Sequence, residues 1–254
     1  MTKPLSTPEP FDARRLPEGQ LDWVRNAVEG YTALVDALSP DERNLYGGIW
    51  RYLARNHAPA TSRQFNHLNL APVVVSDLME TLNERKLLWY DHDLRAVLQS
   101  PPFSVLHTPH QVKVFGWERI YASSFIDIPV TLTVYGPNTW LSAQSVCPRS
   151  GEVLSYKVKM REDFTLQTEA PREASRWRIW VPRPAQPEPD AETQPYLQFH
   201  RLRSRINAFN SESDLQTHRE YTSPNDPGVV YTFEQAMYLS TLLLVAYSRV
   251  AYAL

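Results

Sequence analysis

A chain of 254 residues, 43% of them hydrophobic, can bury a sizeable core in one large domain or two modest ones. Its 26 basic and 28 acidic residues leave a net charge of −2, which excludes a global attraction to phosphate backbones and leaves only a local basic face for such contact. The single cysteine, Cys147, excludes an intramolecular disulfide framework and any multi-cysteine zinc site, and it fits a reducing cytoplasm.

The first residues, MTKPLSTPEPFDARRLPEG, lack the apolar centre of a signal peptide and read as a flexible, proline-rich arm over residues 1–20. Apolar residues at Leu21, Val24, Val28, Tyr31, Val35 and Leu38 then recur at helical spacing. Ser39-Pro40-Asp41-Glu42 supplies an N-cap, a proline in the first turn and two acids, which predicts a second helix to about Asn56. Thr61 or Ser62 can cap a short helix, and Asn69-Leu70-Ala71 forms a turn. Pro72 opens a longer helix to about Arg85, and Leu87 to Leu98 has hairpin character. Short helix, turn, longer helix and hairpin predict a winged-helix-like unit over residues 21–100. As a DNA reader it is poorly equipped. The candidate reading helix, PVVVSDLMETLNER, sets Asp77, Glu80 and Glu84 against Arg85 alone, and acids are repelled from the groove.

After Pro101-Pro102 the texture changes. HQVKVFG, DIPVTLTVYG, TWLSAQSV, GEVLSYKVK, DFTLQT and SRWRIWVP are β-branched and aromatic runs separated by turn residues, which predicts a largely antiparallel sheet. Residues 182–195 hold five prolines and read as a surface loop, and helical pattern returns at Tyr196–Phe209, Ser213–Glu220 and Thr232–Leu254. The last stretch is the most apolar of the chain. Glu234, Ser240, Thr241, Ser248 and Arg249 interrupt it, so it reads as a buried helix or a homodimer face rather than a membrane span. The predicted class is α+β: a helical front end, then an α+β domain over 101–254.

Residues 119–129, RIYASSFIDIP, carry the chemistry most worth following. In a helical turn, Ser124 and Asp127 lie three apart on one face, so the hydroxyl can bond the carboxylate. Ile126, Ile128 and Pro129 surround Asp127 with apolar groups that disfavour its charged form, as suits a general acid. The plainer expectation is that Ser124 caps a helix and Asp127 a turn. HRLRSRIN supplies Arg201, Arg203 and Arg205, either a solvated basic face or a bidentate grip on a carboxylate or phosphate. His107 and His110 lack partners for a zinc site, and no phosphate-cradling loop, nucleophile elbow or dinucleotide fingerprint appears. No metal or cofactor is expected.

The order of these motifs resembles the alkylmercury lyase (organomercurial lyase) family. The resemblance spans about Tyr46 to Ser240. It rests on RIYA-x-x-x-x-D ending at Asp127, on the Cys147-x-x-x-Gly151 hairpin, and on the Asp214, His218, Thr232-Phe-Glu-Gln-Ala236 run. Such lyases grip mercury with two cysteine thiolates and use an aspartate to help deliver the proton that replaces it on carbon. The resemblance assigns the aspartate to Asp127, the first cysteine to Ser124 and the second to Arg203 or Ser204, with Cys147 of lesser catalytic importance. A serine hydroxyl is hard and stays protonated without a base, so it is a poor substitute for a soft thiolate. The expectation is therefore a repurposed, metal-independent lyase-like enzyme acting on a small, anionic organic molecule. Asp127 would transfer the proton and Ser124 would orient the reacting group. Arg203 or Arg205 would hold the anion, with Ser204 and Tyr121 completing the substrate-binding set. The alternatives are a true organomercurial lyase using serine, and a non-catalytic small-molecule-binding protein or winged-helix regulator.

Overall fold

A computed structural model describes residues 22–114, 119–183, 195–222 and 224–251. The predicted arm at 1–20 and residues 184–194 of the predicted loop lie outside the described residues.

The front end begins with α1 (Asp22–Asp36) and α2 (Pro40–Asn56). The predicted start of α2 is a reciprocal capping box: the Glu42 amide donates to Ser39 Oγ, and the Ser39 amide donates to the Glu42 carboxylate at 2.7 Å. A 3₁₀ segment (Ser62–Leu68) ends at Asn69, whose φ of 57° makes the turn, and α3 (Pro72–Glu84) follows. The hairpin of β1 (Trp89–Asp91) and β2 (Ala96–Ser100) is then continuous with β3 (Phe103–Ser104), so it forms one margin of the large sheet.

That sheet adds β4 (His110–Val114), β5 (Arg119–Ala122), β6 (Trp140–Val146), β7 (Val153–Met160) and β8 (Leu166–Glu169). Its eight strands run β1-β2-β3-β5-β4-β6-β7-β8, antiparallel throughout. β7 alternates exposed and buried positions with period two, as a half-buried strand should. The Cys147–Gly151 turn joins β6 to β7. Its left-handed Gly151, at φ 73°, is a conformation that costs a residue with a Cβ.

A smaller three-stranded sheet, β10-β9-β11, holds β9 (Arg178–Pro182), β10 (Asn207–Phe209) and β11 (Gly228–Thr232). The helices α6 (Pro195–Arg203), α7 (Glu212–Thr222) and α8 (Phe233–Ala251) complete the chain. One hydrophobic core runs without interruption from Val24 on α1 to Val250 on α8. α8 packs against α1 and a short helix, α4 (Asp127–Val130), so much of its apolar surface is covered by its own chain. No helix among the described residues is long and apolar enough to cross a membrane.

Two local expectations are corrected. DIPVTLTVYG is not a strand but two helical turns, α4 and α5 (Leu132–Tyr135). Residues Ser123 to Thr133 are buried without alternation, so the β-branched run reports burial rather than a sheet face. Thr131 and Thr133 hydroxyls donate to the Ile128 and Val130 carbonyls at 2.7 and 2.8 Å, bonds that hold the turns. The helix predicted for Tyr196–Phe209 stops at Arg203, because Asn207–Phe209 pairs with β9 as an edge strand.

Candidate functional site

The segment between β5 and α4 is held from two sides. The Ser123 amide donates to the Pro102 carbonyl at 2.9 Å, and the Phe125 amide donates to the Ile206 carbonyl at 3.1 Å. The Asp127 amide donates to the Ser124 carbonyl at 3.1 Å, closing the turn that sets the two side chains on one face. Opposite lies the end of α6, where the Ile206 amide bonds back to the Arg203 carbonyl at 3.0 Å. The same chain reversal therefore delivers Ile206 to Phe125 and Arg203 to Asp127.

The result is a closed polar network. Ser124 Oγ donates to Asp127 Oδ2 at 2.6 Å, and Arg203 Nε donates to the same oxygen at 2.6 Å. Arg203 Nη2 donates to Asp127 Oδ1, making the pair bidentate, and Nη1 donates to the Tyr247 hydroxyl from α8. Ser124 and Asp127 are wholly buried and Arg203 is 1% exposed. The Tyr247 ring is stacked between Tyr31 at 4.1 Å and Trp50 at 5.3 Å, nearly parallel to both. The guanidinium also lies over Phe199 and Tyr247, 5.4 and 5.1 Å from the ring centres.

The electrostatics follow from this packing. Burial works against the Arg203 charge, but Asp127 and the surrounding tyrosines outweigh it and hold the guanidinium well above its ordinary range. Burial is also the main force that raises the Tyr247 phenol, so its hydroxyl stays protonated and accepts from Arg203 while keeping a proton to donate. Asp127 accepts at both oxygens. The arrangement neutralises a buried charge and fixes three chain segments, the 124–127 turn, α6 and α8, to one another, and it offers no soft ligand.

Of the residues singled out from sequence, Ser124, Asp127 and Arg203 come together. Arg203 rather than Ser204 faces the carboxylate, and Ser204 is exposed. Arg205 pairs with Asp226 at the surface, where the two side chains are 44% and 38% exposed. Tyr121 stacks on His107 with ring centres 4.6 Å apart. Cys147 sits in a small cluster of its own with Trp180, Phe209 and Leu215, its sulfur 4.0 Å from the Asp214 carboxylate. Sequence reasoning missed Tyr247. Its signal was a phenol in the most apolar helix of the chain, seven residues from Ser240, where a buried hydroxyl needs a partner. Among the described residues no group of three His, Cys, Asp or Glu side chains could hold a metal ion.

No protein-family model matches the chain, and no curated protein does. A solved structure does: the mercury-bound form of MerB2, an alkylmercury lyase, aligns at a TM-score of 0.61 and 18% identity, covering 87% of this chain and 98% of that one. At that identity the likeness shows the fold, and the fold is an alkylmercury-lyase-like α+β scaffold.

Proposed function

We propose that this chain is a repurposed protein on an alkylmercury-lyase-like scaffold that binds a small organic molecule and does not cleave carbon–mercury bonds. One observation carries the reading: both oxygens of Asp127 are already taken by Arg203 and Ser124 inside a sealed core. At the positions that the resemblance assigns to the thiolates stand a hard hydroxyl, Ser124, and either a fixed cation, Arg203, or a second hydroxyl, Ser204. A guanidinium repels a metal cation where a thiolate would grip it. Three hydrogen bonds also occupy most of the roughly four acceptor positions of the Asp127 carboxylate inside the core.

A second reading, proton transfer by Asp127 on a small anionic molecule, is favoured by the 2.6 Å bond from Ser124 to Asp127. In it the substrate's anionic group exchanges for Asp127 on Arg203, and Ser124 orients the reacting group. That exchange keeps Arg203 paired but leaves Asp127 with the Ser124 hydroxyl as its partner, so it needs an opening of the core that also admits water or substrate to the freed carboxylate.

The test is benzene release from phenylmercury in excess thiol by the purified full chain, by Ser124→Cys and by Asp127→Asn. None from the unaltered chain is the expected result, and catalytic release by it would overturn the proposal. For the second reading, deuterium incorporation at carbon is followed by NMR in D₂O with a panel of small carboxylic acids. Incorporation that requires Asp127 would displace the binding reading in favour of the enzyme.

A further inference from the structure

The ion-pair network fills its own site, and the open space on the molecule lies elsewhere. A cleft of about 810 Å³ runs between the first turns of α3 and the β1–β2 turn. Ligand sites commonly enclose roughly 300–1,000 Å³, so this one is large enough for a small organic molecule. Its composition is unusual for solvent-facing surface. Val73 is 65% exposed and Leu94 60%, and both line the cleft. They are two of the seven large apolar side chains left exposed among the described residues. Exposed apolar side chains that line a cleft offer a ligand a surface to cover.

Two arginines line the same cleft, Arg63 from the 3₁₀ segment and Arg95 from the hairpin turn. Neither has a carboxylate within ion-pair distance among the described residues. The turn that presents Arg95 is built rather than slack. The Asp91 carboxylate accepts from the Asp93 and Leu94 amides at 3.0 and 2.9 Å, and Arg95 then takes a left-handed φ of 48°. This places Leu94 and Arg95 side by side at the mouth. The N-cap of α3, Ala71, has no side-chain acceptor for the first-turn amides, which adds a weaker positive influence on the same wall. Tyr90, buried at the cleft wall, has its phenol raised by burial and by the Glu80 charge, so it remains a hydroxyl at neutral pH.

We infer that this cleft is a binding site for a small aromatic carboxylate, its ring on Val73 and Leu94 and its carboxylate on Arg63 and Arg95. The inference gives the small-molecule-binding reading a location and a ligand class, and it rests on that reading. A planar guanidinium matches a carboxylate bidentately, and paired apolar and cationic walls select an amphipathic anion over a simple salt ion. A nucleic acid fits less well. Asp77 and Glu84 are exposed along α3 outside the cleft, so an extended polyanion would meet them, whereas Glu80 inside it lies 3.9 Å from the His92 imidazole.

The experiment is calorimetric titration of the full chain with 2-naphthoate, with 2-naphthylmethanol as the uncharged control. Saturable binding of the acid is expected, tighter than the alcohol by at least tenfold. Arg63→Gln combined with Arg95→Gln should weaken the acid by tenfold or more and leave the alcohol unchanged. Val73→Glu, which puts a carboxylate in the ring site, should weaken both. All of these positions are exposed, so circular dichroism should show an unchanged fold. Absence of binding, or binding that the double variant leaves intact, overturns the inference, as does displacement of 2-naphthoate by duplex DNA. If the folded double variant Asp127→Asn/Arg203→Met loses binding and the cleft variants do not, the cleft assignment is overturned while the small-molecule-binding reading stands with the ligand at the core. Benzene release bears on the wider reading independently of any of these results.

Discussion

Replacing either member of the Asp127–Arg203 pair should destabilise the chain far more than replacing both. Arg203→Met leaves a wholly buried carboxylate with only the Ser124 hydroxyl for a partner, and Asp127→Asn leaves a guanidinium that is 1% exposed with only Tyr247 and an amide. Breaking a buried pair from one side costs about 3–5 kcal/mol, because the surviving charge is stranded away from water. Domain stabilities are only about 5–15 kcal/mol, so each single variant should sit near the edge of folding. The double variant carries no buried charge, and methionine keeps most of the packing volume against Phe199 and Tyr247. It should lie within about 2 kcal/mol of the unaltered chain, giving a coupling energy of several kcal/mol. Urea unfolding of the four proteins, followed by far-UV circular dichroism at pH 8, measures the cycle. A single variant too unstable to purify still leaves rescue by the second substitution as the readout. Strict additivity, or a cost below about 1 kcal/mol for Arg203→Met, would refute the account of a closed and mutually dependent pair.

Acid should weaken the fold well before its carboxylates titrate. Burial lowers His110 to about 3 and His200 to about 3, the latter with help from Arg203 and Lys86. The unfolded chain takes up these protons first, near pH 6.5, so the stability present above that pH is lost as pH falls from there toward 3, by about 2 kcal/mol per histidine at pH 5. Urea midpoints at pH 8 and pH 5 test this, and equal midpoints would show that neither imidazole is held neutral. Gly228→Ala should destabilise by about 1–3 kcal/mol or more, since an added Cβ would stand 2.4 Å from the Trp180 ring and 2.7 Å from the Val181 carbonyl oxygen. Thermal unfolding reads it out, and an unchanged midpoint would mean that β9 and β11 can separate freely.

Much of the architecture was legible where local chemistry and burial agree. Ser39 and Glu42 announce the start of α2 because a capping box is satisfied within four residues. β7 announces itself because one of its faces is wet and the other dry. The turn at DIPVTLTVYG was not legible, because a segment buried all round loses the periodicity that separates helix from strand. The approach of Ser124 to Asp127 could be read from their spacing, being a contact within one turn. The partner across the core could not be fixed that way. Arg203 lies 76 residues further on, and only the reversal after α6 decides that it faces inward while Arg205 faces Asp226 at the surface. Tyr247 was hidden for a related reason. An isolated phenol in an apolar helix shows its purpose only when a charged partner is seen beside it.

The strand order of the large sheet bears on how this molecule comes apart. β2 and β3 are neighbours across Pro101-Pro102, and β1 is reached only through β2, so cutting the chain near residue 100 would tear a hydrogen-bonded ladder rather than sever a tether. Each fragment would carry an unpaired strand edge and only part of a core that runs from Val24 to Val250. Front and back are therefore expected to melt in a single cooperative step, and a fragment ending near residue 100 should not fold alone, which circular dichroism of that fragment would check.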